Sequence, residues 1–102
     1  MLPIIEQNRT ELANLCRLHH VGRLELFGSA TTAEFNPANS DLDFLVEFAP
    51  LSPSQKADAY FGLLHGLEDL FRQKIDLVTT EAIRNRHFQR ALDAQRSLLY
   101  AA

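Results

Sequence analysis

Paired cysteines, an excess of basic residues and long apolar runs are all missing from this sequence. The 102 residues include one cysteine, Cys16, so an internal disulfide is excluded. Cys16 stands among Leu12, Leu15 and Leu18 and reads as a buried thiol rather than a reactive one. Ten Lys and Arg face thirteen Asp and Glu, for a formal net charge of −3 and a pI of about 5.7. That balance argues against a broad phosphate-contacting nucleic-acid surface. The opening MLPIIEQNRT lacks a basic n-region, and its apolar run is too short for a signal peptide or a membrane span. The expected compartment is the cytoplasm. Repeats and low-complexity tracts are absent as well. What remains is 46% apolar and 23% charged, ordinary for a globular chain. Its length predicts one domain, 1–102, burying about two thirds of the unfolded surface around a single core.

Hydrophobic periodicity divides the chain into elements. Residues 4–19 read as a first helix, with Ile5, Leu12, Leu15, Cys16 and His19 near helical spacing. His19-His20 falls at its end, where a positive imidazole suits the helix dipole. Neighbouring helical residues do not face the same way, which disfavours a metal-binding pair there. Gly22 reads as part of the turn into a first strand, 21–27. A second strand runs from Asp41 to Phe48, and its near-continuous apolar run suggests burial on both faces. Ser52-Pro53-Ser54-Gln55 has the pattern of a helix start: Ser as cap, Pro first, Gln three after the cap. The helix it opens runs to Phe71, with Tyr60, Leu63, Leu64, Leu67, Leu70 and Phe71 recurring at i, i+3, i+4 and i+7. Gly62 and Gly66 inside it suit close packing, within the domain or against a partner. Residues 74–79 read as a short strand carrying Asp76, residues 81–96 as a last helical region, and Ser97 to Tyr100 as an apolar end docked on the core.

The chemistry concentrates in VGRLELFGSATTAEFNPANSDLDFLVEF, residues 21–48. Gly28-Ser29 ends the first strand abruptly. Residues 30–34 suit one helical turn, and 36–40 are a loop by composition. Asp41 and Asp43 then open the second strand. A strand repeats every two residues, so both carboxylates project from one face. Side by side they repel, and a divalent cation between them removes that cost. Mg²⁺, which uses one or two carboxylates and takes its other ligands from water and phosphate, is the natural candidate. Gly28 lets a phosphate approach the backbone, and Ser29 adds a hydroxyl beside backbone N–H donors.

A Gly-Ser turn, a polar excursion, then Asp-x-Asp on a strand resembles the nucleotidyltransferase superfamily related to DNA polymerase beta. In particular the chain resembles its minimal, MNT-type branch, antitoxins paired with HEPN-type toxins. FGSA, SDLDFLVEF, KIDLVT and the closing LLY carry the likeness over nearly the whole chain. The resemblance implies an α/β (α+β) fold, a small mixed sheet with helices packed against it. It implies that Asp41, Asp43 and Asp76 hold Mg²⁺, with Asp76 also helping to take the proton of the attacking hydroxyl. Gly28 and Ser29 would cradle the β and γ phosphates of ATP. The implied reaction moves AMP from ATP to a tyrosine of a HEPN toxin and neutralises it, in a hetero-oligomer.

One departure stands out. The family commonly carries Arg-Gly shortly after Gly-Ser, and here Thr32-Ala33 occupies those positions. A second reading is therefore a weak or inactive antitoxin that blocks its toxin by contact alone. Lys74, two residues before Asp76, reads as a solvent-facing strand-entrance lysine or as a substitute charge for the missing arginine. A third reading, an antibiotic-modifying subunit, needs a partner domain to hold the drug. Any partner surface needs an exposed apolar patch, for which the C-terminal segment and the Gly62/Gly66 helix are the candidates.

Overall fold

In the computed structural model, residues 3–27, 42–80 and 96–102 are described. They form α1 (Pro3–Gln7), α2 (Arg9–Leu18), β1 (Val21–Phe27), β2 (Leu42–Phe48), α3 (Pro53–Phe71), β3 (Ile75–Thr79) and β4 (Arg96–Ala101). The strands make one mixed sheet in the order β3-β2-β1-β4. β1 runs antiparallel to both β2 and β4, and β2 runs parallel to β3. The expected mixed sheet with helices packed against it is the observed architecture.

All three helices contribute to a core on one face of the sheet. Ile5, Leu12, Cys16, Leu63, Leu67 and Phe71 meet Leu24, Leu26, Leu42, Phe44, Val46, Leu77 and Leu99 there. Phe44 and Phe71 stack with centroids 5.9 Å apart. The opposite face carries its own small apolar cluster, Phe27 and Leu45 with Val78 against them. This fits the reading of β2 as a strand buried on both sides: Phe44 and Leu45, neighbours that point to opposite faces, are both buried.

The helix 53–71 begins and ends as the sequence predicts. Ser52 accepts from the Gln55 amide, and the Gln55 side chain accepts from the Ser52 amide, a full capping box. Its glycines serve packing within the fold. A Cβ on Gly62 would stand 2.5 Å from the His19 ring, and one on Gly66 2.4 Å from a Leu15 methyl. That face of α3 is therefore taken up by α2.

Four expectations need correction. The first helix is two, because Asn8 leaves helical geometry and its side-chain amide donates to the Ile4 carbonyl at 2.8 Å. Asn competes with the helix for its own backbone groups, which periodicity does not register. Gly22 lies inside β1 at a register shift, not in the turn before it; a Cβ there would stand 3.3 Å from the Glu47 carbonyl oxygen. The C-terminal segment is not merely docked: it is the edge strand β4, with the Ala102 amide donating to the Gly22 carbonyl at 2.9 Å. Arg96 begins that strand rather than ending a helix. The rest of the helical region expected over 81–96, together with the turn over 30–34 and the loop over 36–40, lies outside the described residues.

The sheet's two edges share a feature. The Tyr60 hydroxyl donates to the Leu77 carbonyl of β3 at 2.7 Å. An Arg9 guanidinium nitrogen donates to the Leu99 carbonyl of β4 at 3.2 Å. Each edge strand thus has one carbonyl satisfied by a helix side chain.

Candidate active site

The parallel pairing of β2 with β3 sets the geometry. Its register matches Leu42 with Ile75, Asp43 with Asp76, Phe44 with Leu77 and Leu45 with Val78. Phe27 at the end of β1 is the other neighbour of Asp43. Matched residues on adjacent strands share a face, and adjacent strands lie about 4.8 Å apart. Leu42, Phe44, Ile75 and Leu77 point into the helix-covered core, so Asp43 and Asp76 stand together on the opposite face. Asp76 is exposed and Asp43 half-buried. Beside them on that face lies the Phe27, Leu45 and Val78 cluster, an apolar floor.

Two of the sequence-predicted aspartates are therefore brought together by strands joined through a whole helix. Asp41, one residue ahead of β2, lies outside the described residues, and so do Gly28 and Ser29, which follow β1 directly. Thr32 and Ala33 lie outside them too. Lys74 is exposed ahead of β3, and its carbonyl accepts from the Leu42 amide at 3.1 Å. Among the described residues no three His, Cys, Asp or Glu side chains gather as a cation site. Among the described residues the donor set is a pair of carboxylates on neighbouring strands, oxygen only. Mg²⁺ fits such a set, since it asks for one or two protein carboxylates and keeps water or phosphate for its other positions.

The histidine pair is elsewhere. His19 caps the C-terminus of α2 and His20 follows with φ 60°. Burial holds the His19 imidazole below its ordinary pKa, and the neighbouring His20 charge pushes the same way. The positive imidazole expected for the helix dipole is therefore disfavoured at His19. Cys16 is buried, and burial raises its thiol to about 12 against a smaller opposing influence of Arg17. The inert thiol is as expected.

Two residues near the aspartates carry no sequence motif. Glu25 is matched with Leu45, so it faces the aspartate side of the sheet, two residues along β1 from Phe27. It is 5% exposed and accepts from Arg23 Nε at 2.9 Å. A charged pair at alternate positions in the apolar strand VGRLELF is the signal that could have found it. Tyr60, read as one more core position of α3, puts its hydroxyl on the backbone next to Asp76. Burial raises its pKa first, and the negative charge of Asp76 adds to the rise.

The Nucleotidyltransferase domain family model matches residues 10–99. No curated protein sequence matches the chain significantly. Among solved structures, the chain is similar to one from a toxin–antitoxin complex with AMP-PNP, at 22% identity and a TM-score of 0.69, covering 93% of this chain and 74% of that one. It is also similar to a chain from the complex of the tri-AMPylated Shewanella oneidensis HEPN toxin with MNT antitoxin. There the identity is 20% and the TM-score 0.64, over 96% of this chain and 73% of the other. At these identities the likeness establishes the fold, while the family match rests on the sequence itself. With that match running over nearly all of its length, the chain belongs to the nucleotidyltransferase domain family.

Proposed function

We propose that this protein is a minimal nucleotidyltransferase of antitoxin type, a single domain over 1–102 acting in the cytoplasm. It transfers AMP from ATP to a tyrosine of a HEPN-type toxin, depends on Mg²⁺, and neutralises the toxin within a hetero-oligomer. The observation that carries this reading is the register that sets Asp43 beside Asp76 on neighbouring parallel strands. The similar complexes, one holding AMP-PNP and one a tri-AMPylated HEPN toxin, support the substrate and partner.

In the proposed reaction the tyrosine oxygen attacks the α-phosphorus of ATP. A P–O bond forms there, the bond to the bridging α,β oxygen breaks, and pyrophosphate leaves. Asp41, Asp43 and Asp76 would hold Mg²⁺, which when bound offsets the negative charge of the triphosphate and the leaving group. Asp76, the more exposed of the described pair, faces the solvent side from which an acceptor hydroxyl arrives and helps take its proton. Gly28 and Ser29, directly after β1, would cradle the β and γ phosphates through backbone N–H groups. Little covalent help is needed from the protein, because positioning and charge neutralisation supply most of the acceleration.

Intact mass of a HEPN-type partner, after incubation with the chain, ATP and Mg²⁺, tests the proposal. The expected result is a gain of one or more AMP units, lost in Asp43→Asn and in Asp76→Asn. Transfer that survives both substitutions unchanged would sink it. The contact-only antitoxin is favoured by Thr32-Ala33 in place of Arg-Gly. A stable complex without any mass gain, formed equally well by the aspartate variants, would establish that second reading.

A further inference from the structure

β3 is an edge strand, bonded along one side to β2 and with no described strand on the other. Asp76 stands on it. The expected partner carboxylate, Asp43, stands on β2 next to the sheet's centre and is held between two strands. An acid on an edge strand is the less constrained of the two, because edge strands open more readily than central ones. One side chain ties this edge down beside the acid. Tyr60 of α3 donates its hydroxyl to the Leu77 carbonyl at 2.7 Å, across seventeen residues of chain. In a parallel strand alternate residues turn their backbone groups to alternate sides. The Lys74 carbonyl serves β2, accepting from the Leu42 amide, so the Leu77 carbonyl turns to the edge away from β2. The Tyr60 ring itself packs against the core and lies edge-on to Phe61, with centroids 5.2 Å apart, which fixes where the hydroxyl can reach.

From this we infer that Tyr60 is a positioning residue for Asp76: its bond to the Leu77 carbonyl holds the backbone of β3 so that the Asp76 carboxylate keeps its place beside Asp43. The inference rests on the proposed metal-holding role of the two aspartates. It adds a residue from the opposite face of the sheet, which does not itself touch substrate. Two carboxylates share a cation only when their separation is held, and a shift of about 1 Å in one of them weakens the shared site.

Tyr60→Phe keeps the ring and removes the hydroxyl. Two readouts are made on the full chain: amide hydrogen exchange along β3 compared with β1, and Mn²⁺ binding with AMP-PNP present, followed by electron paramagnetic resonance. The variant is expected to exchange faster at Val78, whose amide turns to β2 as the Lys74 carbonyl does, with β1 unchanged. It should also bind Mn²⁺ about threefold to tenfold more weakly, the equivalent of one lost hydrogen bond. Asp76→Asn should weaken Mn²⁺ at least as much while leaving β3 exchange unaltered. Unchanged exchange in Tyr60→Phe overturns the inference, and so does faster exchange with undiminished Mn²⁺ binding, which makes the bond merely structural. If Asp43→Asn and Asp76→Asn bind Mn²⁺ as the parent does, the metal-holding role itself is wrong. That result is independent of what Tyr60→Phe shows.

Discussion

Arg72 ends α3 in the left-handed region, at φ 53° and ψ 40°, with its amide donating to the Glu68 carbonyl. A side chain there costs about 1 kcal/mol that glycine avoids. Arg72 is exposed and its side chain has little packing to lose. Arg72→Gly is therefore expected to raise stability by about 0.5 kcal/mol, read as a shift in urea midpoint at constant slope. His19 gives the pH prediction at this scale. Its imidazole is held below the ordinary value of about 6.5, so the unfolded chain takes up the proton first as pH falls. Stability contributed by the neutral ring is present above that value and lost as pH drops through and below it. Thermal midpoints at pH 7.5 and 5.5 should show a smaller loss on acidification in His19→Gln than in the parent. Residues of this kind were partly legible in the sequence. Ser52 and Gln55 could be read directly because a cap depends on neighbours a few positions away. The roles of Glu25 and Tyr60 could not, because each is defined by a partner on another element.

Elements were legible where their signal is local and long. α3 shows its cap, its apolar stripe and its end, and its two glycines mark where α2 crosses it. The contact separates them in kind. At Gly66 the two methyls and the γ-carbon of Leu15 all lie within 3.2 Å of an added Cβ, so the whole side chain must move. At Gly62 the atoms in the way belong to the tip of the His19 ring. Alanine gains about 1 kcal/mol of helix propensity at either position. Gly66→Ala is expected to lose about 1–2 kcal/mol net by overpacking, and Gly62→Ala to come out closer to neutral, as measured by chemical denaturation. β4 is not legible as a strand, for the opposite reason. Its ladder is made with β1, some seventy residues earlier, and SLLY carries too few alternations to declare a face. The split at Asn8 is not legible either, because one side-chain bond outweighs an unbroken apolar periodicity.

At the scale of the whole molecule, the pairing of β2 with β3 was the step that periodicity left open. Asp76 could be read as a strand residue, but only the parallel register makes it the neighbour of Asp43. The family resemblance supplied that arrangement, and the sheet order agrees with it. Exposed apolar side chains lie on both candidate regions for a partner, Phe61 on α3 and Leu98 on β4, and on α2 at Leu18. The Gly62/Gly66 face is not one of them, since α2 already fills it.

The two capped edges limit how this molecule can grow. A sheet of four strands normally offers each flank as a template, and an incoming strand recruits that flank's carbonyls in order. Here the template is interrupted by a phenol on one side and a guanidinium on the other. A foreign strand that continued the ladder along either flank would have to evict one of them. Fibre-like stacking of copies along these two described edges meets the same obstacle twice per molecule, so the sheet resists indefinite extension.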